Sequence, residues 1–194
     1  MKNILRNTSL LWIALAIFGS GCERYYVSKE TAYPRIAFPE KAYKPYKSDC
    51  PFEFNIPVYA TVSNDESDSL KPCYINVNYP QLNARLHLSY ENISSRRAFF
   101  QMVEDADEFV YKHAQKAEKI VPSRFATGHN VHGIWYDLKG NTASSIQFFA
   151  TDSNEHYLRG ALYINSRPNK DSLTPVIEFL RHDLDTMLIS LRWK

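Results

Sequence analysis

Histidine and acidic side chains supply the residue types of a metal site. His129 and His132 are the closest pair among the six histidines, and residues 104–108 form an acidic run. If a strand starts near Asn130, residues three positions apart point to its opposite faces, so the two imidazoles do not converge. No HExxH or cysteine-rich segment offers further zinc ligands, and the acidic run suits a solvated helix face near an N-terminus. The sequence therefore predicts no metal and no cofactor.

A serine hydrolase would need a serine positioned by a histidine and an acid. Ser144 and Ser145, with His156 and with Asp152 or Asp183, offer these residue types. The GxSxG turn that exposes such a nucleophile is missing. Both serines follow a Gly-Asn turn, where hydroxyl groups commonly bind the backbone. We therefore expect no catalytic residues.

Cys22 offers a different chemistry, which is acylation of its thiol. Lys2 and Arg6 form a positive segment, Leu10 to Phe18 an apolar core, and Gly-Ser-Gly precedes the cysteine. The apolar run is shorter than the about 20 residues that span a bilayer. The pattern is that of a bacterial lipoprotein signal at residues 1–21, although it has glycine at position 19, where leucine is usual. The alternative is an ordinary secretory signal in which Cys22 is incidental.

Cys50 and Cys73 remain once Cys22 is assigned to lipidation. Disulfides persist in exported proteins, and no CxxC motif or paired histidine favours metal binding. We therefore expect a Cys50–Cys73 disulfide.

The charge balance excludes one class of partner. Without Lys2 and Arg6 the chain has 21 basic and 21 acidic residues, so its net charge is near zero. Nucleic-acid binding normally requires a basic patch and a clearly basic domain. The sequence thus predicts no nucleic-acid partner.

Residues 22–49 are rich in tyrosine and proline and have no helical or alternating pattern, which indicates an extended tether. Its aromatic residues are unusual in a solvated linker, so we expect its second half to lie against the domain or a partner. Pro57 interrupts the next apolar run and indicates an edge strand or a bulge. Tyr33, Phe38, Tyr43 and Pro57 are therefore the candidate partner-binding residues.

Residues 50–194 are predicted to form one α+β domain. Ser94 or Ser95 caps a helix that runs to about Ile120, and a second helix covers residues 173–191. Short turns divide residues 130–165 into a three-strand antiparallel meander. We predict an antiparallel sheet of about five strands with both helices on one face.

Specific strings along the mature chain resemble the gliding motility lipoprotein GldD family. They include Tyr33-Pro-Arg-Ile36, Asp49-Cys-Pro-Phe52, His87-Leu-Ser-Tyr90, Leu158-Arg-Gly-Ala-Leu-Tyr163, Pro175-Val-Ile177 and Trp193-Lys194. The resemblance implies an envelope lipoprotein of Bacteroidota that is required for gliding and for type IX protein secretion, with no established enzymatic activity.

Two functions follow as hypotheses. The first is a lipid-anchored accessory protein, periplasm-facing, that binds other envelope proteins of the gliding and type IX secretion machinery. The alternative is a periplasmic enzyme acting on cell-wall material. The aromatic tether and the missing catalytic pattern favour the first.

Overall fold

The computed structural model describes residues 36–65, 71–113, 117–166 and 170–194. The predicted signal peptide, Cys22 and Tyr33 lie outside these ranges. The strands are β1 (Tyr43–Tyr46), β2 (Phe52–Pro57), β3 (Thr61–Asn64), β4 (Tyr74–Tyr79), β5 (Ala84–Asn92), β6 (Ala117–Ala126), β7 (His132–Gly140), β8 (Ser144–Thr151), β9 (His156–Ile164) and β10 (Arg192–Trp193). The helices are α1 (Arg96–His113) and α2 (Lys170–Ser190), and a short 3-10 turn covers Pro80–Leu82.

Seven strands form the main antiparallel sheet, in the order β3-β4-β5-β9-β8-β7-β6. The meander expected between residues 130 and 165 is present as β7, β8 and β9. The main sheet has two strands more than expected, and β1, β2 and β10 form a separate three-stranded sheet. The α+β antiparallel class is confirmed, whereas the single sheet of about five strands is wrong.

The two helices pack on opposite faces of the main sheet, so the prediction that they share one face is wrong. Successive residues of a strand point to opposite faces. On β8, Phe148 packs in the core that contains Leu180 of α2, whereas Phe149 packs with Ala106 and Val110 of α1. Adjacent large apolar residues are the mark of a strand that is buried on both sides.

A third departure concerns residues 117–126, which extend as β6 rather than continuing the first helix. Ser95 caps α1 as expected, since its Oγ accepts a hydrogen bond from the N–H of Ala98. The helix ends at His113. Among the described strands, β6 pairs only with β7 and forms one edge of the main sheet. Pro122 fits there because an edge strand needs no backbone donor on its outer side.

The small sheet shows that β2 is not an edge strand as expected, although within the described residues Pro57 itself is paired on one side only, because β10 reaches no further along β2 than Phe52 and Glu53. β2 lies between β1 and β10, and Pro57 is paired with Tyr43 of β1. Phe52, Phe54 and Ile56 of β2 join the same buried core as α2. Residues 43–46, which the sequence assigned to the tether, are therefore part of the folded sheet.

Candidate functional site

A buried carboxylate on α2 fixes the N-terminal segment to the domain. Asp183 has no exposed side-chain surface. Its Oδ1 accepts hydrogen bonds from Lys41 Nζ at 2.5 Å and from the Tyr43 hydroxyl at 2.9 Å. Its Oδ2 accepts one from the Tyr59 hydroxyl at 2.6 Å. We call residues 36–46 the strap and this cluster of four side chains the clamp.

The clamp offsets the free-energy cost of burying the charged carboxylate of Asp183. A buried carboxylate is tolerated only when a cation and further donors replace its hydration. Lys41 supplies the cation and also donates to the carbonyl oxygen of Phe179 at 2.7 Å. Burial, followed by the hydrogen bond and charge of Asp183, raises the pKa of the Tyr59 hydroxyl far above its usual range. Tyr59 therefore acts as a neutral donor.

Aromatic contacts extend the attachment of the strap toward the start of α2. The ring of Phe38 stacks on that of Phe179 with centroids 4.5 Å apart. The ammonium group of Lys41 lies 3.5 Å from the Phe179 ring centroid, within the range of a cation–π interaction. Ile36 packs against the main core. The strap is thus bound to α2 through charge, hydrogen bonds and aromatic stacking.

These contacts change the role expected of the candidate partner-binding residues. Tyr43 and Pro57 are used in contacts within the domain. Phe38 keeps 37% of its surface exposed beside the ring of Phe179, and its role in binding a partner stays a prediction. Tyr33 lies outside the described residues. The clamp itself was not expected, because Lys41, Tyr59 and Asp183 are too far apart in sequence to show a pattern.

Cys50 and Cys73 form the expected disulfide, with their Cα atoms 5.6 Å apart. Cys50 precedes β2 of the small sheet, and Cys73 precedes β4 of the main sheet. The bond therefore joins the strand that receives the strap to the sheet that carries the core.

The serine and acidic side chains considered for a catalytic triad each have a structural role elsewhere in the fold. Ser144 is fully buried, and its hydroxyl donates to the carbonyl oxygen of Ile146 at 3.2 Å. The carboxylate of Asp152 accepts from three backbone N–H groups of residues 154–156. Asp183 belongs to the clamp. These contacts account for Ser144, Asp152 and Asp183.

The histidines likewise have separate partners. His156 is buried, its Nδ1 lies 2.8 Å from the Tyr90 hydroxyl, and its ring stacks on Trp193. His129 contacts Arg192, whereas Nε2 of His132 lies 2.7 Å from the hydroxyl of Ser153. Within the described ranges no three histidine, cysteine or acidic residues are grouped as a metal site.

The outer side of α1 is an exposed surface that the sequence analysis did not single out. Phe100 and Tyr111 are 57% and 62% exposed. They are eleven residues apart, which is close to three helical turns, so they lie on one line about 16 Å apart. The exposed Glu104 lies between them on the same side. We call Phe100, Glu104 and Tyr111 the α1 stripe. In the sequence, the signal for this surface was that Phe100 and Tyr111 do not fall on the apolar repeat of α1 that faces the core.

No described helix combines the length and apolar character needed to span a membrane. Comparison with curated proteins gave no match. The solution structure of cyanobacterial PsbP (CyanoP) from Synechocystis sp. PCC 6803 is similar with a TM-score of 0.46 and 9% identity, over 80% of this chain and 95% of that one.

The family model described as gliding motility lipoprotein GldD matches residues 23–193, which is nearly all of the chain beyond the signal segment. This match agrees with the resemblance seen in the short sequence strings. The chain belongs to the gliding motility lipoprotein GldD family.

Proposed function

We propose that this protein is a lipid-anchored accessory subunit of the envelope machinery for gliding and type IX secretion, and that it acts by binding other envelope proteins. Family membership supports the motility and lipoprotein parts of this proposal. The α1 stripe is the observation that supports binding. Aromatic side chains are common anchors of protein interfaces, and here two of them are exposed without covering the core.

The chemistry of the α1 stripe suggests the surface that it would meet. Phe100 and Tyr111 offer apolar contact area at the two ends, and the exposed carboxylate of Glu104 lies between them. A complementary partner would present two apolar pockets about 16 Å apart with a basic side chain between them. We place this partner among the envelope proteins of the same machinery.

The strap supports a short connection between the anchor and the domain. With acylation at Cys22, 13 residues, 23–35, separate the lipid from the strap. At about 3.6 Å per residue these span at most about 47 Å. The clamp therefore holds the domain within this distance of the membrane, which we place on the periplasmic side.

Mild crosslinking in cells followed by purification of the protein tests the proposal. The double variant Phe100→Ala/Tyr111→Ala should keep its fold but lose crosslinked envelope partners, together with gliding and type IX secretion. The matched control is Ile189→Ala, which truncates a 65% exposed apolar side chain on α2. A folded double variant that keeps its partners and its gliding would contradict the proposed surface. Loss of gliding with every partner retained would instead favour the enzyme hypothesis.

A further inference from the structure

Part of the main sheet's second face is polar. α1 covers that face through Tyr136, Phe149 and Tyr157 on β7, β8 and β9. Toward β4 and β5 the strand register places polar residues on the same face. Asn76 is paired with His87 and Asn78 with Arg85. His87 in turn is paired with Ala161 of β9, which is the smallest side chain in its row.

A groove of about 710 Å³ opens on this part of the face. Its polar lining comes from Asn78, Asn83, Arg85, His87, Tyr163, Asn165 and Ser166, and it includes no carboxylate. The Arg85 Nε donates to Asn78 Oδ1 at 2.8 Å, which fixes the direction of the guanidinium group. The ring of His87 meets that of Tyr163 edge-on at 5.3 Å. The volume is within the range typical of small-molecule sites.

Arg159 adds a second positive charge on this face; it is not itself a lining residue, but it interacts electrostatically with Tyr163, which lines the groove. It lies on β9 on the same face as Ala161 and Tyr163, because these positions alternate along the strand. Its guanidinium donates to Gln147 Oε1 at 3.0 Å and lies 4.5 Å from the centroid of the Phe109 ring. No ion pair with a described carboxylate accompanies these contacts.

The electrostatic surroundings of Arg159 agree with this geometry. Burial lowers the pKa of its guanidinium, and the described groups that oppose the change are the hydroxyls of Tyr163, Tyr157 and Tyr74. A half-buried cation normally has an anionic partner, since its desolvation must be compensated. Among the described residues this position has none.

Two buried amide atoms in the same row also lack a partner. Gln147 is paired with Ala161 across β8 and β9, so Asn76, His87, Ala161 and Gln147 form one continuous row. Asn76 is 5% exposed and Gln147 1% exposed. Among the residues that the structure describes, neither Asn76 Oδ1 nor Gln147 Nε2 has a hydrogen-bond partner. Buried polar atoms are nearly always hydrogen-bonded. Neither residue lines the groove, but their row includes His87, which does, so these unpaired polar atoms lie on the same face of the sheet as the groove.

We propose that this groove binds a small hydroxylated anion through a carboxylate or phosphate group held by Arg85 and Arg159. Ligand hydroxyls would hydrogen-bond to the amide and hydroxyl side chains of the lining. Guanidinium groups bind both oxyanions in a bidentate manner, so the structure assigns the charge and polarity of the ligand rather than its acidic group.

Calorimetric titration of the full-length lipidated protein in neutral detergent tests this site. The probes are glucose 6-phosphate, glucuronate and inorganic phosphate, with glucose as the uncharged comparison. At least one sugar acid should bind, and glucose should bind about 10-fold more weakly or not at all. The two sugar acids distinguish phosphate from carboxylate, and inorganic phosphate shows whether the hydroxylated part contributes.

Variants locate the binding. Arg159→Gln should weaken binding of the preferred probe by about 10- to 100-fold. Arg85→Gln changes an exposed side chain, so it gives the same test without placing the fold at risk. Arg124→Gln on β6 is the matched control, because it removes an equal charge at an exposed position outside the groove lining. The proposal is overturned if no acidic probe binds the wild-type protein at about 10 mM. It is also overturned if both groove variants keep wild-type affinity or if Arg124→Gln weakens binding as much as they do.

Discussion

Lys41 Nζ lies 2.5 Å from Asp183 Oδ1, although 142 residues separate the two in sequence. The pair joins the segment that follows the predicted lipid anchor to the last helix of the fold. Because Asp183 is fully buried and Lys41 is only 30% exposed, solvent screens their interaction less than that of a surface ion pair. The attachment of the strap should therefore depend strongly on this contact.

Lys41→Met should destabilise the protein by about 3 kcal/mol, because it leaves a buried carboxylate without its cation. Urea denaturation of the purified protein measures the change in the free energy of unfolding. Lys44→Met is the matched control, since Lys44 is an exposed lysine on β1, and it should change stability by less than about 0.5 kcal/mol. Equal effects of the two substitutions would show that the clamp has no special role.

Cys50→Ser and Cys73→Ser should each lower stability by about 2–5 kcal/mol, because either change breaks the link between the two sheets. Denaturation of each variant, with the wild type under reducing conditions as the reference, measures the loss. Nonreducing peptide mapping supplies an independent control. Recovery of both cysteines as free thiols from the exported wild-type protein would refute the assignment.

Asn76→Leu should stabilise the protein by about 1 kcal/mol. The substitution keeps the shape of the side chain and removes a buried acceptor that has no partner. Thermal unfolding should therefore shift to higher temperature. A decrease in stability would mean that the Asn76 amide makes a net favourable contribution to folding.

Asp152 predicts a pH dependence of stability. Burial alone would raise the pKa of this carboxyl, but hydrogen bonds from the backbone N–H groups of residues 154–156 lower it below its usual value. The stabilisation is therefore complete above the unfolded pKa of 3.8 and is lost as the pH falls through the lower folded pKa. Asp152→Ala should cost about 1 kcal/mol at pH 7 and much less at pH 2. A difference from wild type that stays constant between these pH values would contradict this origin.

Cys22→Ala should abolish lipidation and leave an unprocessed or mislocalised precursor. One acyl chain binds membranes only marginally, whereas the two or three chains of a mature lipoprotein hold firmly. Incorporation of labelled palmitate in cells, followed by membrane fractionation, measures both effects. Equal palmitate incorporation by the variant and the wild type would exclude Cys22 as the modified residue.

Local patterns were sufficient for several features of this protein. The Cys50–Cys73 bond followed from the number of cysteines in an exported chain, and the β7–β9 meander from short turns between alternating residues. The family resemblance also came from short sequence strings, which can be recognised without knowledge of the fold. These inferences succeeded because each depends on neighbouring residues or on composition.

Only tertiary structure decided where the elements meet. The sequence favoured helix through Ile120, but pairing with β7 makes residues 117–126 an edge strand, and backbone pairing overrides local helix periodicity. Phe148 and Phe149 pack against different helices because both faces of β8 are buried, which a search for one apolar face does not reveal. The sequence by itself determined the family, the disulfide and the antiparallel class, whereas the signal at residues 1–21 and acylation of Cys22 stay predictions. The clamp at Asp183 and the groove beside Arg159 depend on contacts between residues distant in the chain, and such contacts leave no local pattern.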